Sequence, residues 1–261
     1  MGILNATPDS FSDGGKFLST RKAVNRIEQM ITEGAEIIDV GGESTRPGSD
    51  PVTEQQEMDR VLPVLEIACK KFKETIFSID TTKYQVAEEA LKAGVHVVND
   101  VSGLQKEPRL ADLCSKYKAG YILMHSKGNP KTMQINPVYD DVMEEITQFF
   151  KNGISKLNKA GVDSVILDPG IGFGKTLEHN LQIIIGLRKF SLLGMPVLVG
   201  ASRKSMIGQL LDNRPAEDRL AGTIAVQYHS LMQGAKVLRV HDVQEAVDSV
   251  RIFEAVTGRQ N

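Results

Sequence analysis

Ile76-Phe-Ser-Ile-Asp-Thr-Thr-Lys-Tyr-Gln-Val-Ala-Glu-Glu-Ala-Leu-Lys-Ala-Gly-Val-His-Val-Val-Asn99 contains one strand, one helix and the next strand in a single stretch. Ile76–Asp80 and Val95–Asn99 are short, rich in β-branched residues and nearly free of polar alternation, as expected for parallel strands buried on both faces. Between them Val86, Ala90 and Leu91 recur at helical spacing, which marks an amphipathic helix with one face on the strands. Gly94 stands where that helix must stop and turn into the second strand. Both strands end on polar side chains, Asp80 and Asn99, that an apolar core does not need.

The same unit recurs along the chain. Further strands are predicted at Gly2–Asn5, Ile37–Val40, Gly120–Met124, Val165–Asp168, Val197–Gly200 and Val237–Val240. Helical faces lie between them, such as Ala23, Ile27, Met30 and Ile31, or Leu181, Ile184, Ile185 and Leu187. Gly34, Gly120, Gly161, Gly194 and Gly234 repeat the capping turn. Eight strand–helix alternations without a linker or a shift in composition predict an α/β chain folded as a (β/α)8 TIM barrel, a single domain over residues 1–261. An open doubly wound sheet is the competing arrangement at this stage. In a barrel, the C-terminal strand ends build one active-site face. The long loops Ala6–Lys16, Gly41–Thr53 and Ser126–Asp140 all follow strands, which puts them on that face.

Composition narrows the function. With 31 basic and 33 acidic residues the net charge is -2, so no broad field draws the chain to nucleic acid or to an anionic membrane. No apolar stretch is long enough to span a bilayer. No signal peptide is visible, and Ala6 breaks a myristoylation pattern at Met1-Gly2, so Asn5-Ala6-Thr7 carries little weight as a glycosylation sequon. Cys69 and Cys114 are the only cysteines; both fall in predicted helices, exclude a thiolate zinc site and suit a reducing, cytoplasmic compartment.

The strand ends divide into two chemical sets. Asp80, Asn99 and Asp168 end three different strands, and together suit a heterocycle with a donor-rich, guanidine-like edge. For Asp80, capping of the following helix is an equal alternative. Ser202-Arg-Lys-Ser205 follows the seventh strand, and Arg239 and His241 end the eighth, the usual place for an anion in such barrels. Arg46, in the second loop, is a further candidate contact. Asp168-Pro-Gly-Ile-Gly-Phe-Gly-Lys-Thr176 has neither the Walker A nor the GxGxxG spacing. Its glycines instead let backbone approach a flat ligand, with Phe173 as a wall. Lys175 divides evenly between reaching the site and being solvated, and His125 divides evenly between touching ligand and not. His96, His179 and His229 read as helix, turn or core residues. No HExxH, GxSxG or Ser-His-Asp pattern supports a covalent nucleophile.

In order, the strand ends resemble the dihydropteroate synthases, a family of pterin-binding TIM barrels. The resemblance rests on Gly2-Ile-Leu-Asn-Ala-Thr-Pro-Asp-Ser-Phe-Ser-Asp-Gly-Gly15, Ile37-Ile-Asp-Val-Gly-Gly-Glu-Ser-Thr-Arg-Pro-Gly48, Ser78-Ile-Asp-Thr-Thr-Lys83 and Asn99-Asp-Val-Ser-Gly103. It continues through Met124-His-Ser-Lys-Gly-Asn-Pro-Lys-Thr-Met-Gln134, Asp168–Lys175, Ser202–Ser205 and Leu238-Arg-Val-His-Asp242, and so covers essentially the whole chain. It implies an enzyme of folate biosynthesis, a sulfonamide target, that joins 6-hydroxymethyl-7,8-dihydropterin diphosphate to para-aminobenzoate and releases diphosphate. Carried over, Asp80, Asn99, Asp168 and Lys204 hold the pterin, with Met124 and Phe173 lining it. Asn5, Arg239 and His241 hold diphosphate, with magnesium (Mg2+) at Asn5. Phe11, Ser12 and Asp13 of the first loop and Thr45, Arg46 and Pro47 of the second close over the aminobenzoate, whose carboxylate goes to Ser205. Asp80, Asp168, Lys204, Arg239 and His241 form the implied catalytic set. The partners are these small molecules and, through late helices, a second copy in a homodimer.

There are departures from the family pattern. Ala6 and Ser126 replace a common Val and a bulkier apolar residue, both mild changes. The family usually has residues, often a hairpin, ahead of the first strand, whereas Met1 directly precedes it here. The expectation is therefore a trimmed chain, or a piece of a bifunctional polypeptide with an organellar location as the alternative. Two other functions share parts of the pattern: the pterin-binding domain of a folate-dependent methyltransferase, and a non-catalytic pterin-binding module. Neither needs the complete loop at Thr45-Arg46-Pro47 together with the cations after strands 7 and 8.

Overall fold

A computed structural model describes residues 1–6, 15–44, 51–128, 133 and 135–258. Eight parallel strands alternate with helices. They are β1 (Gly2–Asn5), α1 (Gly15–Thr32), β2 (Ile37–Gly41), α2 (Glu54–Lys71), β3 (Ile76–Asp80), α3 (Tyr84–Lys92), β4 (Val97–Asp100), α4 (Leu110–Tyr117) and β5 (Gly120–Met124). The second half runs α5 (Val142–Ala160), β6 (Val165–Asp168), α6 (Leu177–Ile185), α7 (Arg188–Ser191), β7 (Leu198–Val199), α8 (Ser205–Leu210), α9 (Leu220–Met232), β8 (Val237–Leu238) and α10 (Val243–Thr257).

β1 to β6 pair in sequence order, and β7 pairs with β8. Parallel bridges join Leu167 to Val197 and Gly2 to Val240. Ile3 N–H donates to Val240 O at 3.0 Å, Val240 N–H to Met1 O at 2.9 Å, and Leu167 N–H to Pro196 O at 2.9 Å. These bonds link the β7–β8 pair to both edges of the six-stranded sheet, so the ring closes and the open-sheet alternative falls. Four predicted strands have different bounds, and β2 runs one residue further, to Gly41. β4 begins two residues late because Val95 and His96 belong to the turn from α3, with the His96 Nδ1 accepting from Phe77 N–H. β7 and β8 shorten to two residues each, since the chain there meets its neighbours through single bridges.

Register fixes the levels of the barrel interior. Gly41, Asp80 and Asn99 lie side by side across β2, β3 and β4. Asp39, Ser78 and Val97 lie two residues deeper on the same inward face. Helices pack outside through buried faces such as Val61, Val64, Leu65 and Ala68 of α2. The helix ends are well defined: Thr53 and Gln56 form a capping box on α2, and Thr176 and His179 form one on α6. His179 thus caps a helix, one of the structural places expected of it. Cys69 and Cys114 do sit in helices, and burial raises their thiols to about 11 and about 12, which disfavours the reactive thiolate. Among the described residues no helix is long and apolar enough to cross a membrane.

Candidate active site

The ends of β3, β4 and β6 bring Asp80, Asn99 and Asp168 to the top of the barrel, each no more than 7 % exposed. Each of these strand residues is buried over the core, which demands partners for every carboxylate. Arg239, just beyond β8, supplies them for two strands at once. Its Nε donates to Asp39 Oδ2 at 2.7 Å and its Nη2 to Asp80 Oδ2 at 2.8 Å. Burial opposes the guanidinium charge, but Asp39 and Asp80 more than offset this and hold Arg239 above its ordinary pKa. Burial pushes the Asp80 carboxyl upward, with the Arg239 charge pulling it back and Asp39, Glu57 and Asp100 adding to the rise. Asp80 caps no helix: the residue before α3 is Lys83, which makes no side-chain cap.

Asp168 is held by its own loop. Oδ1 accepts from Gly170 N–H at 2.7 Å, while burial raises the carboxyl despite that bond and the charges of Lys204, Arg239 and Lys175. The turn is possible only with glycine: Gly170 has φ 66°, and a Cβ there would meet the His125 carbonyl at 1.9 Å. Gly172 (φ 81°) brings the backbone against the Lys204 side chain, whose Nζ stands 4.0 Å from the centroid of the Phe173 ring. Burial, helped by Arg239, lowers the Lys204 ammonium to about 8 against the pull of Asp168 and Asp80. Met124 is buried at the end of β5.

Farther round the ring, His241 Nδ1 lies 3.1 Å from Ser202 Oγ, and its backbone N–H donates to the same hydroxyl at 3.2 Å. Ser205 opens α8 and is exposed. Asn5 ends β1 beside Gly41 in the ladder. Among the described residues no group of three His, Cys, Asp or Glu is placed to hold a metal. Phe11, Ser12, Asp13, Thr45, Arg46 and Pro47 lie outside the described residues.

Over residues 1–241 the chain matches the family model of the pterin binding enzymes. It is 48% identical over 257 residues to the dihydropteroate synthase of Escherichia coli (strain K12), covering 98% of this chain and 90% of that one. The chain belongs to the dihydropteroate synthase family. Its fold is similar to that of the Yersinia pestis dihydropteroate synthase in a sulfonamide drug complex, with TM-score 0.92, 46% identity and coverage of 99% of this chain and 94% of that one. The Xanthomonas albilineans dihydropteroate synthase, solved with 4-aminobenzoic acid, superposes with TM-score 0.92 at 39% identity over 100% of this chain and 93% of that one.

Three features of this family member were not among the expected site residues. Asp39 is fully buried beneath Asn99 and Arg239; its one sequence signal is a charge inside the apolar run Ile37-Ile-Asp-Val40. Lys83 bridges Glu43 and the buried Glu57, two carboxylates that line the cleft at the top of the barrel. Burial opposes its charge, and the two carboxylates hold it above its usual range. Lys175 is neither solvated nor at the mouth of the site. Its ammonium is 3.0 Å from His125 Nδ1, 3.3 Å from His125 O and 3.0 Å from Phe173 O, so it ties the end of β5 to the glycine loop after β6. Burial lowers it to about 7, and burial together with this cation holds His125 far below its usual range.

Proposed function

We propose that this face carries out the reaction of its family: condensation of 6-hydroxymethyl-7,8-dihydropterin diphosphate with para-aminobenzoate, giving 7,8-dihydropteroate and diphosphate. The observation that carries the residue roles is the convergence of three buried acceptors, Asp80, Asn99 and Asp168, with two half-buried cations, Lys204 and Arg239, on one barrel face. Acceptors on three sides suit the N–H-rich edge of a pterin. Phe173 and Met124 form its apolar walls, and Lys204 faces the ring from beside Phe173. Arg239 and His241 take the diphosphate, where positive charge stabilises the leaving group as the C–O bond breaks. Ser205 receives the aminobenzoate carboxylate, while Phe11, Ser12, Asp13, Thr45, Arg46 and Pro47 close the site.

A magnesium ion fits this donor set only in one manner. Asn5 offers a single amide oxygen and no carboxylate cluster accompanies it among the described residues, so substrate phosphate and water would provide the other ligands, the usual habit of magnesium. Bound there, the ion would neutralise diphosphate charge. The protein's own residues orient the ring and exclude water. Asp80 and Asp168 beside an electron-rich ring favour positive charge at its methylene carbon, so C–O cleavage precedes attack by the aniline nitrogen. That order requires no strong general base. The exposed apolar side chains Met232 of α9 and Ile252 and Val256 of α10 suit a homodimer interface on the late helices. Two free thiols and no disulfide suit the cytoplasm.

Diphosphate release, followed with and without para-aminobenzoate, tests the reading. Release that needs both substrates is expected, while pterin binding without turnover would support a binding module instead. Positional isotope exchange within the pterin diphosphate, in the absence of aminobenzoate, tests the order of steps: scrambling is expected, and its absence would indicate direct displacement.

A further inference from the structure

Asp39 lies too deep to touch a ligand. It is wholly buried, two residues below Gly41 on the inward face of β2, whereas Asp80 and Asn99 stand at the level of Gly41 itself. One oxygen, Oδ2, accepts both Asn99 Nδ2 at 3.0 Å and Arg239 Nε at 2.7 Å. A carboxylate ion-paired with a guanidinium only accepts hydrogen bonds, so the end of the Asn99 amide that faces it must be the NH2 end. The opposite end, Asn99 Oδ1, is buried and accepts nothing among the described residues. A buried acceptor left open carries a free-energy cost unless a ligand donor arrives. The same carboxylate fixes the guanidinium plane, so that Nη2 reaches Asp80 Oδ2.

We propose that Asp39 is a positioning residue that sets the recognition pattern of the heterocycle pocket, through its contact with Asn99 and Arg239. By holding the amide NH2 beneath the pocket it presents only Oδ1 upward, and so turns Asn99 from an ambivalent amide into a dedicated acceptor. With Asp80 and Asp168, the pocket then offers acceptors alone to the ring edge, and Lys204 remains the separate donor. A pocket of this kind selects heterocycles whose edge carries N–H donors and rejects those that carry a carbonyl at the same place, since two acceptors would face each other. The inference rests on the pterin reading of this site.

The test compares binding of 6-hydroxymethylpterin with that of its 2-oxo analogue, in which a carbonyl replaces the exocyclic amine, in wild type, Asp39→Asn and Asn99→Ala. Asp39→Asn puts an NH2 group into the floor and lets the Asn99 amide turn over. Its preference for the pterin over the 2-oxo analogue is expected to fall about tenfold, the size of one hydrogen-bond preference. In turnover, KM for the pterin substrate is expected to rise more than kcat falls. A merely structural defect would lower the active fraction and leave the preference unchanged. If Asn99→Ala weakens pterin binding but Asp39→Asn keeps the wild-type preference, the role of Asp39 is overturned and the pocket stands. If neither wild type nor Asn99→Ala distinguishes the two ligands, the pterin reading itself fails. A measurement on wild type avoids any folding defect: hydrogen exchange at the Asn99 side-chain NH2 in the ligand-free protein. Slow exchange is expected of an amide held to Asp39, and rapid exchange would overturn the proposal.

Discussion

Arg239 and Lys175 both sit in the upper barrel, and their surroundings are opposite. Arg239 lies between two carboxylates, Asp39 and Asp80. Lys175 has a ring nitrogen and two carbonyls as its acceptors. Both are desolvated, yet one is held above its ordinary pKa and the other is lowered to about 7. Burial alone therefore does not decide the fate of a charge; the charge of its partners does. Arg239 keeps a permanent positive charge beside the site, which suits the contact with diphosphate proposed for it. Lys175 is a strut whose hydrogen bonds matter more than its charge. Lys204 falls between them, with carboxylates near but none bonded among the described residues, and is lowered to about 8.

The largest effect is expected from removing the permanent cation. Arg239→Met leaves Asp39 and Asp80 buried without their partner, which is expected to cost about 3–5 kcal/mol of unfolding free energy. In diphosphate-release assays the same change is expected to lower kcat/KM by about three orders of magnitude, on the scale of losing a preorganised stabiliser of leaving-group charge. Arg239→Lys restores charge but not the fork, and should recover only part of that loss.

Lys175→Met is expected to cost less, about 1–3 kcal/mol, because it strands neutral acceptors and not carboxylates. Urea denaturation of both variants makes the comparison. Equal losses would mean that the distinction between the two cations is mistaken.

Titration separates them further. A lysine lowered to about 7 in the folded protein keeps a proton in the unfolded chain up to about 10.5. Between those values the unfolded state binds more protons, so the Lys175 contribution to stability increases with pH, by at most about 1.4 kcal/mol per unit. The difference in unfolding free energy, wild type minus Lys175→Met, should rise across that window and level off below it. Arg239 gives no such slope in this range. A flat difference curve would contradict the lowered value.

The smallest effect belongs to a pair nearer the surface. Arg203 and Asp242 form an ion pair with side chains 34% and 14% exposed. Asp242→Asn is expected to change stability by no more than about 1 kcal/mol, measured by thermal unfolding. A cost comparable to that of Arg239→Met would show that burial contributes less than the comparison assumes.

The barrel is visible in the sequence because parallel strands buried on both faces read as short apolar runs, and Gly34, Gly94, Gly161 and Gly234, all at positive φ, mark the returns. β7 and β8 were less distinct, since strands of two residues leave little pattern. Strand-end residues such as Asp80 and Asp168 were legible because polar groups at the end of an apolar run need a purpose. The contact of Arg239 with Asp39 was not, since it spans 200 positions and depends on ring closure. Lys175 was ambiguous for a related reason: its acceptors are two carbonyls and a His whose positions only the folded loop defines.

The most direct test is the structure of the protein with 6-hydroxymethylpterin bound. The pterin N–H edge is expected against Asp80, Asn99 Oδ1 and Asp168, with Lys204 and Phe173 beside the ring and the hydroxymethyl group directed to Arg239 and His241. A ring bound elsewhere, or one turning its carbonyl toward Asn99 Oδ1, would contradict the assignment of this face.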